Sequence, residues 1–392
     1  MLSSEIKSTL LIGLVFASRM LGAFMVFPVL VLYANAYPDA SLTLVGLALG
    51  GYGLFQALLQ LPMAALSDRF GRKPLIIVGL AVFALGALVS AFSTTLMGVA
   101  IGRAIQGSGA IGATLLAFVS DSTRDVVRTK AMAILGILIG SAFTLSLIIG
   151  PLLDNFLGLQ GLFFMTAMMA VVALVLIVKM PEMDPPRQRL SFAPRALFEA
   201  IFSAQLGRLY LSIFTLHAVL TMLFLVIPTQ VQILLGLSKS QSWQFYIPVL
   251  LLSLVCIVPF LKREETALQQ YRTKGAILGL LIIVPAWLWT DQTFCFAILG
   301  VLFFTAFNFL EASLPAMVSQ MAPASRRGLI LGVYSSFQFL GLFVGGTLGG
   351  VLLDRWGHWG IVVMSVMMIS IWLWSMQGVY LTQKQAAKLT TL

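Results

Sequence analysis

Four ionisable side chains of this 392-residue sequence stand inside long apolar runs: Arg19, Arg103, His217 and Glu311. An ionisable group at bilayer depth is costly, so its presence there points to function. Glu311, in Phe307-Asn308-Phe309-Leu310-Glu311-Ala312, is the carboxylate placed at midplane depth, where a carboxyl group can load and release a proton. It reads either as a proton or substrate group or as a structural carboxylate paired with a buried arginine. His217 ordinarily titrates near physiological pH, so it either carries a proton or stays neutral and bonded to its own helix. Arginine keeps its charge and cannot carry the proton. Arg103 can instead act on a neighbouring carboxylate, hold an anionic group, or snorkel outwards from a packing motif. Arg19 either contacts an anionic substrate or pairs with Glu311. Tyr52, Gln56, Gln60, Gln106, Asn308 and Gln338 are the polar groups expected to line a cavity with these four. Gln56 and Gln60 are four apart, hence on one helical face. An aromatic, Met-rich lining with few charges suits amphiphilic or drug-like ligands better than sugars.

The elements that must position these residues follow from composition. With 59% hydrophobic and 10% charged residues and a mean hydropathy of +1.00, the chain reads as a polytopic membrane protein. At about twenty residues per crossing, twelve spans are predicted: 9–33, 44–66, 74–93, 95–120, 130–153, 161–179, 207–231, 241–261, 274–290, 293–319, 328–352 and 359–381. The first lacks a small-residue cleavage site and is expected to stay in place as a helix. Cys256 and Cys295 lie in apolar runs and are expected to pack rather than bridge. The linker of 180–206 holds Pro181, Pro185, Pro186, Arg187 and Arg189. Leu197, Phe198, Ile201 and Phe202 share a face there, which predicts an interfacial helix. The expected organisation is a six-helix bundle over 1–179, this linker, and a second six-helix bundle over 207–392.

The formal net charge of +10 requires no nucleic acid, because the bases crowd loops on one side. Lys7, Arg69, Arg124, Arg128, Lys130, Arg263 and Arg326 fall there, against Lys239 and Arg355 opposite. This predicts cytoplasmic termini in a bacterial inner membrane. The halves also repeat at an offset of about 200, with Gly150-Pro151-Leu152-Leu153-Asp154 matching Gly350-Val351-Leu352-Leu353-Asp354. No phosphate loop, metal cluster or nucleophile arrangement is evident, so neither an enzyme nor an ATP-driven pump is expected.

Between spans 2 and 3 runs Ser67-Asp68-Arg69-Phe70-Gly71-Arg72-Lys73, read as a tight turn in water with Gly71 at positive φ. With Leu66 before it and Ala64 in place of a glycine, this stretch resembles the signature loop of the major facilitator superfamily. The second half's counterpart, Lys262-Arg263-Glu264-Glu265, lacks that signature. Arg103-Ala104-Ile105-Gln106-Gly107-Ser108-Gly109 resembles the family's helix 4 motif, whose arginine is assigned to proton coupling. Gly150-Pro151 partly resembles the end of its antiporter motif. Within the superfamily the chain is most similar to the drug:proton antiporter branch.

The resemblance implies an all-α membrane protein of twelve transmembrane helices in two pseudo-symmetric bundles. It implies proton coupling through Glu311, Arg103 and His217, and gating by Asp68, Arg69, Gly71, Arg72, Lys73, Asp121, Arg128, Gly150 and Pro151. In that scheme Arg72 pairs with Asp121 and Asp68 faces the start of span 11. The expected activity is proton-driven efflux of amphiphilic molecules by a monomer, with no cofactor besides the proton gradient. The alternatives are symport of an anionic metabolite or metal chelate, and a receptor that binds without translocating. The sequence ends soon after span 12, so no soluble C-terminal domain is expected.

Overall fold

The computed structural model describes residues 1–180, 194–260, 266–323 and 326–389. Linker residues Pro181, Pro185, Pro186, Arg187 and Arg189, and the Lys262-Arg263-Glu264-Glu265 stretch, lie outside the described residues.

Among the described residues, nine helices are long and apolar enough to cross a membrane. Two of these are double length and fold back at single glycines. The helix over 125–179 breaks at Gly158 (φ 62°, ψ 178°), dividing spans 5 and 6. The helix over 327–389 breaks at Gly357 (φ 57°, ψ −151°), dividing spans 11 and 12. Such backbone angles are open essentially to glycine alone. Span 4 is the reverse case: Leu96–Ser108 and Gly112–Asp121 are separate helices, each too short to cross alone. The sequence predicted one helix there. Span 1 is likewise interrupted, running through Ser3–Phe24, Phe27–Leu30 and Val31–Ala36. Span 7 runs through Ala204–Phe224 and Ile227–Leu235. Spans 3, 8, 9 and 10 are Arg72–Phe92, Trp243–Ile257, Thr266–Trp289 and Thr293–Met321.

Span 2, Leu42–Phe70, departs from expectation in a useful way. Its helix continues through Asp68, Arg69 and Phe70, and Gly71 (φ 93°) is the one residue between it and span 3. The predicted water-exposed turn is thus mostly helix. The charges allow this because Asp68 and Arg72, four apart, pair with each other rather than needing loop solvent. On the face that carries the termini, Glu5 binds the Arg124 guanidinium (2.8 Å), fastening span 1 to the turn before span 5. On the opposite face Asp39 accepts the Met97 and Leu96 backbone N–H groups (3.0 and 2.7 Å) at the start of span 4. Those bonds hold its carboxyl below the usual carboxylate range.

Pro194–Ile201 forms a short helix; its Phe198 and the following Phe202 are exposed with ring centroids 4.4 Å apart, an arrangement suited to an apolar boundary. Its Glu199 binds Arg326 at 2.7 Å. Cys256 and Cys295 are exposed rather than packed. Lipid tails are as apolar as a protein core, so an apolar run does not reveal which of the two surrounds it.

Candidate functional site

Two polar clusters face each other across the interface between the first six and last six spans. The first is built on spans 1, 2 and 4. Arg19 is buried and donates through Nη2 to Gln56 Oε1 (2.5 Å) and to the Gly109 carbonyl (3.1 Å). That carbonyl is available because span 4 is interrupted at Gly109, so the helix break supplies the acceptor. Arg103, fully buried, donates to the Ala48 carbonyl (3.2 Å) and to Gln106 Oε1 (3.0 Å). It therefore does not snorkel. Both arginines lie against the Tyr52 ring, whose centroid is 5.7 Å from the Arg19 guanidinium carbon and 4.9 Å from that of Arg103. No carboxylate among the described residues pairs with either arginine, so the alternative Arg19–Glu311 pair is not made.

The second cluster is built on spans 7, 10 and 11. Glu311 sits just past the midpoint of span 10 with 39% of its side chain exposed, where a lipid-buried or core carboxylate would be covered. One turn earlier on the same face, Phe307 stacks on Phe143 of span 5 at 5.9 Å, so this face looks towards the first half. Gln338 Nε2 donates to Glu311 Oε1 (3.0 Å) and lies 2.9 Å from His217 Nε2. His217 Nδ1 faces the Ile213 carbonyl at 3.2 Å, which only an N–H can satisfy. The proton is thus on Nδ1, and Nε2 accepts from Gln338. In this arrangement His217 is neutral, with its Nε2 3.7 Å from Glu311 Oε2. Asn308 donates to Ser253 of span 8 at 3.3 Å.

Gln60 belongs to neither cluster. It donates to Ser336 Oγ (2.8 Å) and to the Gly332 carbonyl (3.3 Å), joining span 2 to span 11 directly. Hydropathy carries no signal that separates a cavity-facing glutamine from one facing the other half. The sequence reading also passed over Phe339, whose ring meets Tyr52 at 6.0 Å. It is the neighbour of Gln338, so adjacent residues of span 11 touch both clusters.

The signature stretch braces the first half internally. Arg72 pairs with Asp68 and donates through Nε to Asp121 Oδ2 at 2.9 Å. Arg128 adds a further positive charge acting on Asp121. Lys73 donates to the Met180 carbonyl (2.7 Å), and Arg69 covers the Phe70 ring (5.3 Å). These contacts join residues of spans 2 to 5 and Met180, which follows span 6. Gly150 packs on the Met25 backbone where span 1 is interrupted, and Pro151 is buried beside it.

At the face opposite the termini the halves are joined by polar bonds. Asp354 accepts from Thr43 Oγ1 (2.6 Å), Thr43 N (2.8 Å), Ser41 Oγ (3.1 Å) and Leu42 N (3.2 Å), capping span 2 from the other half. Its repeat counterpart, Asp154, accepts from Tyr33 (2.8 Å), and Lys239 of the other half lies 4.2 Å over that tyrosine's ring. Phe27 and Phe224 meet at 5.9 Å. Gly46 and Gly346 leave room for spans 2 and 11 to touch backbone to backbone.

Comparison with known proteins gives this geometry a family context. Residues 12–307 match the model of the Major Facilitator Superfamily. The chain is 39% identical over 378 residues to the inner membrane transport protein YajR of Escherichia coli (strain K12), covering 95% of this chain and 83% of YajR. It is 27% identical over 331 residues to multidrug resistance protein 2 of Bacillus subtilis (strain 168), covering 77% and 78%. Among solved structures, a bacterial homolog of the human lysosomal transporter Spinster, in an inward-facing and occupied conformation, superposes with a TM-score of 0.74 at 13% identity, covering 98% of each chain.

Proposed function

The chain belongs to the major facilitator superfamily and is a membrane transporter rather than an enzyme, and on that premise we propose that it exports drug-like or amphiphilic small molecules in exchange for protons. The observation that carries this reading is Glu311: a half-exposed carboxylate at mid-span, on the face turned towards the other half, held by Gln338 beside a neutral His217. In the proposed cycle Glu311 takes a proton from one side, the halves rock, and substrate and proton leave in opposite directions. The name of the B. subtilis relative, a multidrug resistance protein, supports efflux. The crowding of basic loops on the terminal face supports cytoplasmic termini in an inner membrane. On that orientation the conformation described here is closed to the outside. A single chain holds both clusters, which supports a monomer as the working unit.

Glu311→Gln removes the titrating group and keeps a hydrogen-bonding amide of the same shape. In proteoliposomes with an imposed pH gradient, it should abolish gradient-driven accumulation of an amphiphilic dye while leaving exchange without a gradient. Full gradient-driven transport by that variant would remove Glu311 from the mechanism. Proton movement in the same direction as the ligand would replace export with symport, and no proton movement would favour a receptor.

A further inference from the structure

The cluster around Tyr52 has a lopsided chemistry. Arg19 Nε and Nη1, Arg103 Nη2, Gln56 Nε2 and Gln106 Nε2 are all buried without a hydrogen-bond acceptor among the described residues. Each is a donor. The acceptor oxygens of both glutamines are already used by the two guanidiniums. A buried arginine with a structural role is normally surrounded by acceptors, because an unsatisfied charged donor is expensive away from water. Here two permanent charges share one aromatic ring with no counter-ion. Water would satisfy N–H groups but would leave the charge uncompensated, whereas an anion does both. A planar carboxylate or a sulfonate also matches the fork geometry of a guanidinium.

Resting on the reading of this chain as a transporter of small molecules, we infer that the Arg19–Tyr52–Arg103 cluster receives an anionic group of the substrate, and that the transported compounds are amphiphilic anions. The apolar part of such a molecule would lie on Tyr52 and Phe339, which close the cluster on the side of the second half. In the conformation sealed opposite the termini, both arginines are covered. A substrate entering from the terminal face would part Phe339 from Tyr52 to reach both arginines.

Equilibrium binding, measured without any gradient, tests this independently of proton coupling. Calorimetric titration of the full chain in phosphatidylcholine nanodiscs would compare naphthalene-1-sulfonate, its uncharged methylsulfonyl isostere and a naphthyl trimethylammonium. Charge-assisted hydrogen bonds are worth enough to make the sulfonate bind about tenfold or more tightly than the sulfone. Arg19→Gln and Arg103→Gln should each reduce that ratio towards one, because the sulfonate loses a charge-assisted partner and weakens far more than the sulfone. The sulfone serves as the folding control, since a misfolded variant would lose both ligands. Arg19→Lys, which keeps the charge, should keep part of the preference. Equal binding of sulfonate and sulfone to the wild-type chain, tighter binding of the cation, or a ratio unchanged in both glutamine variants would overturn the inference. A failure of Glu311→Gln to stop gradient-driven transport would strike the proton reading alone and leave the binding ratio standing.

Discussion

At the scale of single residues, the second cluster turns on one amide. Gln338 uses both hydrogens of Nε2, one on Glu311 and one on His217, and His217 can accept because its own proton is committed to Ile213. His217 is therefore a positioning residue that fixes Gln338, and through it the carboxylate. His217→Ala would strand one Gln338 hydrogen in the interior, at a cost of about 1–3 kcal/mol. The expected outcome is a lower Tm and slower but still gradient-driven transport, read in the dye assay. Complete loss of coupling in a well-folded His217→Ala would make the histidine a proton carrier. The four ionisable residues were legible in the sequence because charge inside a long apolar run stands out. Their partners were not, since Gln56, Gln60 and Gln338 look alike in sequence while one braces Arg19, one bridges the halves and one holds Glu311.

At the scale of elements, the twelve crossings were legible from hydropathy and length, but their interruptions were not. The break in span 4 at Gly109 supplies the carbonyl that Arg19 needs, and nothing in an apolar run of that length announces it. The reversals at Gly158 and Gly357 occupy equivalent places in the two halves, extending the repeat already visible in Gly150 to Asp154 and Gly350 to Asp354. Both glycines hold backbone angles closed to other residues, although Gly357 has open space around it. A methyl group there would meet no neighbour, so Gly357→Ala isolates the backbone term. It should destabilise the chain by about 1–3 kcal/mol. An unchanged Tm would mean that the turn between spans 11 and 12 relaxes to another conformation.

At the scale of the whole molecule, the positions of the charges decide which face opens. In the signature stretch, Arg72 bridges Asp68 and Asp121 and ties together spans 2, 3 and 4 of the first half. The contacts that cross between halves reach from the opposite face down to Leu61 and Gly332 on spans 2 and 11. The acids of the internal repeat carry that seal: Asp354 directly, through four bonds to the start of span 2, and Asp154 through Tyr33 and Lys239. A seal made of polar bonds at a wet surface is individually weak, so a conformational balance of a few kcal/mol can be tipped by removing one anchor. Asp354→Ala deletes every acceptor that caps span 2 across the interface. It should raise the labelling rate of a cysteine placed at Ala34, on the sealed face, several-fold, while a cysteine at Gly136, in open space two turns before Phe143 on the face that Phe143 turns to the second half, becomes less reactive. Opposite shifts at the two positions are the mark of alternating access. A parallel rise at both would mean that Asp354 merely holds the fold together, and no change at either would place the seal in the apolar contacts of spans 2 and 11.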